Sequence, residues 1–180
     1  MKQSWQLLAK ETLYNGPHGA VVENWKMKTH RGEALDFTIR KGKDFIILFA
    51  LTEKQEVLVA HEYFPANQKR LVSFVGGIID DGYDHRTTVE KELLEETGCR
   101  AGEFVYLGSL SRGKYNSGIM HSYLATGVKK VQEQTLEPSE DIEIEFVPLP
   151  RFRGMLARGE VGCVFEVACA YQALDYLGRL

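Results

Sequence analysis

Residues 77–99, GIIDDGYDHRTTVEKELLEETGC, decide how this chain is read. The run from Asp84 to Thr97 predicts a helix: Asp84 can cap its first turn, good helix formers fill its second half, and Gly98 can take the left-handed position that stops it. Glu92, Glu95 and Glu96 stand at i, i+3 and i+4, within roughly one quadrant of that helix. Val89 and Leu93 lie beside them at the same spacing, so one edge of the acidic face abuts the core and half shelters the carboxylates. Taken alone the cluster could be a solvated helix face, but it is a poor arrangement for stability. Like charges at i, i+4 cost about 0.2–0.5 kcal/mol per pair, and the helix dipole disfavours anions at the C-terminal end. A hard cation would reverse both penalties, and Mg²⁺ suits such a site because it takes a few carboxylates, keeps several waters and completes its shell with substrate phosphates.

The spacing around that helix is more specific than the helix itself. Gly77, five residues, Tyr83, seven residues and then Lys-Glu-Leu-Leu-Glu-Glu-Thr-Gly-Cys resembles the Nudix box, G-x5-E-x7-R-E-U-x-E-E-x-G-U, where U is aliphatic. All but two of the specified positions agree, with Cys99 taken as the last apolar one. The departures are Tyr83 for the first glutamate and Lys91 for the arginine. In the family these two side chains pair and brace the loop against the helix, so the bridge is lost without stranding one charge, and Tyr83 could brace the loop by packing instead.

A chain of 180 residues, 44% hydrophobic and 26% charged, has enough material for one main domain with a substantial core. A net charge of −3 without a basic block argues against nucleic-acid partners, which demand a basic surface. Three cysteines, Cys99, Cys163 and Cys169, form no framework or C-x-x-C pair and read as small core residues in a reducing compartment. The five histidines are too scattered in sequence to form a ligand set. With neither an apolar leader nor an apolar run long enough to span a bilayer, the expectation is a cytoplasmic protein with no membrane partner.

Along the chain, residues 1–19 signal weakly: Trp5, Leu7 and Leu8 suggest a short strand or a packed segment, and Asn15-Gly16-Pro17 a turn. Alternation over Val21–Lys28 and again at Leu35, Phe37 and Ile39 predicts a two-stranded antiparallel ribbon, turning at residues 30–33. Residues 1–43 are therefore expected to form an N-terminal antiparallel sheet, and 44–180 the main domain. Asp44–Leu51 is apolar throughout, as in a strand covered on both faces. Strands are also expected at 57–60, 104–107, 120–125 and 143–149, and helices at 150–158 and 164–178.

What the resemblance implies is a Nudix α/β/α sandwich with a mixed sheet, preceded by the small antiparallel sheet, most similar to the ADP-ribose and NDP-sugar pyrophosphatase branch. In that branch such an N-terminal sheet helps form a homodimer. The implied activity is divalent-cation-dependent cleavage of a diphosphate linkage in a small nucleotide-derived substrate, with Mg²⁺ or Mn²⁺ held by Glu92, Glu96 and the Gly76 carbonyl. Glu95 holds a second ion or orients a water. A glutamate of the 127–141 loop, Glu140 before Glu137, is the expected base. Substrate contacts fall on Phe64, at the place of the branch's Q-Y-R arginine, and on Arg112 and Lys114 of the loop after residue 109. Ser73 and Gly118 stand where the branch carries acidic residues, so a catalytically weak module that binds a nucleotide-linked ligand is the competing expectation.

Overall fold

The computed structural model describes residues 5–17 and 20–180; the remainder of the weakly signalled N-terminal segment, residues 1–4, 18 and 19, lies outside the described residues. Two compact units divide the chain, Met1–Asp44 with Ser111–Ile119, and Phe45–Leu110 with Met120–Leu180.

The first unit is an antiparallel sheet of three strands in the order β1 (Gln6–Asn15), β2 (Val21–Lys28) and β3 (Ala34–Lys41). The sequence predicts β2 and β3 as a two-stranded ribbon, and around Leu7 and Leu8 offers only a short strand or a packed segment. β1 is longer than that signal and adds a third strand; its signal is weak because all ten of its residues are exposed, and irregularities at Leu7/Ala9 and Thr12/Tyr14 interrupt any alternation. Opposite β2, Phe37 lies across from Trp25. Segment 111–119 belongs to this unit because its backbone bonds to β3. The Arg40 N–H donates to the Tyr115 carbonyl at 2.9 Å, and the Ser117 N–H donates to the Arg40 carbonyl at 3.0 Å.

The second unit holds a mixed sheet whose main path runs β12-β5-β4-β10-β9. These strands are β4 (Phe45–Leu51), β5 (Glu56–Phe64), β9 (Glu103–Ser111), β10 (Ile119–Thr126) and β12 (Ile142–Pro148). β4 runs parallel to β10 and antiparallel to β5, and every one of its residues is buried. Its alternation divides the core in two. Ile46, Leu48 and Ala50 face the cluster containing Val89 and Leu93 of α1 (His85–Thr97). Phe45, Ile47, Phe49 and Leu51 face α2 (Leu149–Ala157) and α3 (Val164–Tyr176) through Phe152, Met155, Cys169 and Leu174. The result is the expected α/β/α sandwich. A second small pairing joins β8 (Cys99–Arg100) to β11 (Lys129–Lys130). Among the described residues no helix is long and apolar enough to cross a membrane.

One feature of the sheet positions the box. β4 and β5 pair only at Ala50↔Leu58 and Leu51↔Val57 and then part. The rest of β5 pairs with β6 (Lys69–Ser73), and the rest of β4 with β7 (Val75–Ile78). Phe74 links these two short strands and is anchored edge-on to Phe49, with ring centroids 5.5 Å apart. β7 thereby carries Gly76 and Gly77 to the place where α1 packs.

Candidate active site

Helix α1 is capped as its sequence dictates. The Thr87 N–H donates to Asp84 Oδ1 at 2.7 Å, a bond that holds the Asp84 carboxyl below its ordinary range. Gly98 ends the helix at φ 68°, where a side chain is disfavoured, and its N–H donates to the Leu94 carbonyl. Between the caps, the three box glutamates are graded in burial: Glu96 is 7% exposed, the Glu92 side chain 14% and the Glu95 side chain 40%. Burial raises Glu96 well above 4.5, and the charge of Glu92 adds to the rise. Burial likewise raises Glu92 to about 7, against the opposing pull of Lys91.

Both glycines of β7 sit where a side chain would meet close neighbours, the Glu92 carboxylate at Gly77 and the β4 strand at Gly76. The Gly76 N–H donates to Glu96 Oε2 at 3.3 Å. A Cβ on Gly77 would stand 2.5 Å from Glu92 Oε1, and one on Gly76 would stand 3.1 Å from the Ile46 carbonyl. Backbone and carboxylate thus share space that a side chain would fill.

The 127–141 segment is docked on α1. The Thr135 N–H donates to the Glu95 carbonyl at 2.8 Å, Gln134 Nε2 to the Glu96 carbonyl at 2.6 Å, and the Val131 N–H to the Gly98 carbonyl at 2.8 Å. These bonds satisfy carbonyls that a helix C-terminus leaves open. They also bring the candidate bases to the acidic face. The Glu137 N–H donates to Glu140 Oε2 at 2.7 Å, and Glu140 is among the negative charges that raise both Glu92 and Glu96. Glu137 acts on Glu92 in the same way.

Phe64 ends β5 opposite Lys69, on the same strand face as Glu62. Arg112 and Lys114 belong to the other unit. There Arg112 Nη1 would lie 2.7 Å from a Cβ on Gly42, and Lys114 stands 5.3 Å from the Tyr115 ring centroid, beside a cavity of about 230 Å³ lined also by Trp5, Trp25 and Phe37. Tyr83 is exposed, at 52%, and does not brace the loop by packing. Lys91 turns to its own helix, 2.8 Å from Glu95 and 3.8 Å from Glu92. Cys99 and Cys169 are core residues, whereas Cys163 is half-exposed at the start of α3. The histidines are less scattered in space than in sequence, because His85 and His121 stack with ring centroids 4.7 Å apart. Glu62, from β5, was not singled out by the sequence as a site residue. Its carboxylate accepts from Ser73 Oγ at 3.2 Å and adds to the charge on Glu96. No local pattern marks it, since the strand pairing alone brings it there.

Among the described residues no three His, Cys, Asp or Glu side chains form a finished metal cage. The chemistry of the donors nevertheless fits a hard cation: two desolvated carboxylates repel each other beside glycine backbone that a Cβ would obstruct. Mg²⁺ needs few protein ligands when waters and phosphate oxygens complete its shell.

The NUDIX domain family matches residues 41–162. The chain belongs to this family. The Nudix chain is 28% identical over 106 residues to the methanol dehydrogenase activator of Bacillus methanolicus, a match spanning 58% of this chain and 56% of that protein. It is 22% identical over 174 residues to the ADP-ribose pyrophosphatase of Bacillus subtilis (strain 168), covering 94% of this chain and 90% of the relative. It is 29% identical over 115 residues to the NAD-capped RNA hydrolase NudC of Vibrio cholerae, covering 62% of this chain and 42% of the relative. A solved structure described as an ADP compounds hydrolase superposes with a TM-score of 0.85 over 99% of this chain and 98% of that one, at 20% identity, and so shares the Nudix fold.

Proposed function

We propose that this Nudix protein is a pyrophosphatase that uses a divalent cation, Mg²⁺ or Mn²⁺, to cleave the diphosphate linkage of a small nucleoside diphosphate derivative of the ADP-ribose type. The observation that carries this reading is the pair Glu92 and Glu96, buried together against the Gly76–Gly77 backbone with both carboxyls raised. The family, and the full-length likeness to an ADP-ribose pyrophosphatase, support the reaction class. Glu92, Glu96 and the Gly76 carbonyl would hold the cation, which when bound polarises phosphoryl oxygens and lowers the pKa of a bound water. Glu140, whose carboxylate accepts from the Glu137 N–H, would take the proton of the attacking water. Glu95, the most exposed of the three, orients that water or faces a second ion. Phe64, Arg112 and Lys114 remain the residues proposed for substrate contact.

A second reading has its own observation. Lys91 already neutralises Glu95 at 2.8 Å, and with Tyr83 exposed the box lacks its usual brace. A module that binds a nucleotide-linked ligand without turning it over fits these features.

Release of mononucleotide from ADP-ribose, NDP-sugars and dinucleotides, with Mg²⁺ and then Mn²⁺, separates the two. The hydrolase reading expects metal-dependent turnover that Glu96→Gln abolishes and that Glu140→Gln lowers about 10²–10⁴-fold in kcat. Metal-dependent nucleotide binding with no turnover of any substrate would leave the binding module in its place.

A further inference from the structure

The segment that carries Glu137 and Glu140 is held at both ends. At the first end, Thr135 and Gln134 bond to the Glu95 and Glu96 carbonyls of α1. Gln134 Nε2 also donates to the Ile142 carbonyl at 3.2 Å, which ties the two ends of the segment together. The second end runs into β12 at Asp141. There the Tyr63 N–H donates to the Asp141 carbonyl at 3.3 Å and extends the β5–β12 pairing by one residue. Between these ends the turn closes on itself. The Glu140 N–H donates to the Glu137 carbonyl at 3.0 Å, and the Glu137 N–H donates to the Glu140 carboxylate at 2.7 Å. Where this turn stands therefore depends on what fixes its ends.

Arg70 reaches the second end from β6. It pairs with Tyr63 along one edge of β5 while β12 pairs along the other, so its side chain crosses β5 to meet Asp141. Arg70 Nη1 donates to the His61 carbonyl at 2.9 Å and, at 3.4 Å, to the Asp141 carbonyl. Arg70 Nη2 donates to Asp141 Oδ1 and lies 3.6 Å from Glu143 Oε1. Such an array calls for the planar fork of a guanidinium, whose donors point in fixed directions. The Arg70 side chain is 39% exposed, and an exposed ion pair adds little to stability. Its effect is geometric, because the residue gripped by both its main chain and its side chain is the neighbour of Glu140.

We propose that Arg70 is a positioning residue for the hydrolysis: by gripping Asp141 across β5 it sets where Glu140 stands at the cation site. This deepens the hydrolase reading and rests on it, with Glu140 as the base. Arg70 touches neither cation nor substrate in this role. Without its grip the turn is held firmly from the α1 end alone, and a reacting group misplaced by about 1 Å costs about 100-fold in rate. Binding of the cation uses other residues and is spared.

Steady-state kinetics with Mg²⁺ test the assignment, on whichever of ADP-ribose, NDP-sugars or dinucleotides the wild-type chain hydrolyses fastest. Arg70→Met keeps the stem of the side chain and removes the fork. It is expected to lower kcat about 10- to 100-fold while KM and the Mg²⁺ requirement change little. Arg70→Lys keeps the charge without the fork and is expected to restore only part of the loss. In a Glu140→Gln background, Arg70→Met is expected to cost almost nothing more, because the group it positions is already gone. Amide hydrogen exchange supplies a readout without turnover: Arg70→Met should quicken the Tyr63 and Glu137 N–H groups, whose acceptors are the Asp141 carbonyl and the Glu140 carboxylate. Circular dichroism checks that each variant is folded. An Arg70→Met enzyme as fast as the wild type, or losses that multiply in the double variant, would overturn this proposal alone and leave the hydrolase reading intact. A Glu140→Gln enzyme as fast as the wild type would overturn the base assignment and this role, and leave the cation site standing. No turnover by the wild-type chain would overturn the hydrolase reading itself, and this role with it.

Discussion

Glu92 and Glu96 store an electrostatic conflict that pH and metal should each relieve. Both carboxyls are raised in the folded chain, Glu92 to about 7 from an ordinary 4.5 and Glu96 in the same direction. A carboxyl raised on folding favours the folded state while it is protonated. Its contribution is fully present below 4.5 and is lost as the pH rises through about 7. Asp84 and Glu145 are lowered on folding, so their contributions fade only at the acid end, outside this window. The metal-free protein should therefore melt at a lower temperature at about pH 8 than at about pH 5.5, and Glu96→Gln should flatten the difference. Added Mg²⁺ should raise the melting temperature more at the higher pH, where protons no longer compete for the carboxylates. Thermal denaturation at the two pH values, with and without Mg²⁺, measures both effects. A metal-free melting temperature that is level or rises across the window would mean that the carboxylates are not in conflict.

At the scale of elements, the box helix and the segment docked on its C-terminus behave as one piece. Gly98 joins them, with φ 68° and with the Gln132 carbonyl occupying the place where a Cβ would lie. Gly98→Ala meets both the left-handed penalty of about 1–2 kcal/mol and a backbone contact that must shift. Urea denaturation should show a loss of at least that size, and amide hydrogen exchange should quicken at Val131 and Thr135, whose N–H groups bond to Gly98 and Glu95. An unchanged midpoint would mean that the segment does not depend on the close approach. Half of this piece was legible in the sequence. Asp84, the glutamate spacing and Gly98 are local signals, and the helix runs between the caps they predict. The docking was not legible, because Gln134 and Thr135 act through long-range bonds to main-chain carbonyls that no periodicity marks. Glu62 was hidden for a related reason: β5 parts from β4, and its pairing with β6 brings the Ser73 hydroxyl to the Glu62 carboxylate. The loss of the Tyr83–Lys91 brace was legible as a pair of substitutions, but Tyr83's exposure was not.

For the whole molecule, the remaining question is what covers the N-terminal sheet. A three-stranded sheet is small, and β1, its edge strand, leaves Leu7, Leu8, Leu13 and Tyr14 exposed by 41–54%, with Leu35 of β3 exposed at 43%. Exposed apolar side chains on an unpaired edge strand favour association, and closed twofold dimers are the commonest solution. The Nudix protein is therefore expected to sediment as a homodimer. Replacing Leu8 and Leu13 together by Asp should shift it to a monomer, since each charge would have to be buried in the contact. The far-UV circular dichroism should stay unchanged, because all β1 side chains are exposed within the single chain. Sedimentation velocity of the two proteins decides the matter. A wild-type monomer would show that the exposed leucines do not mediate self-association. A dimer that survives both substitutions would place the contact on another surface. A dimer lost in the double variant with kcat for the preferred nucleotide retained would separate assembly from the chemistry of Glu92 and Glu96.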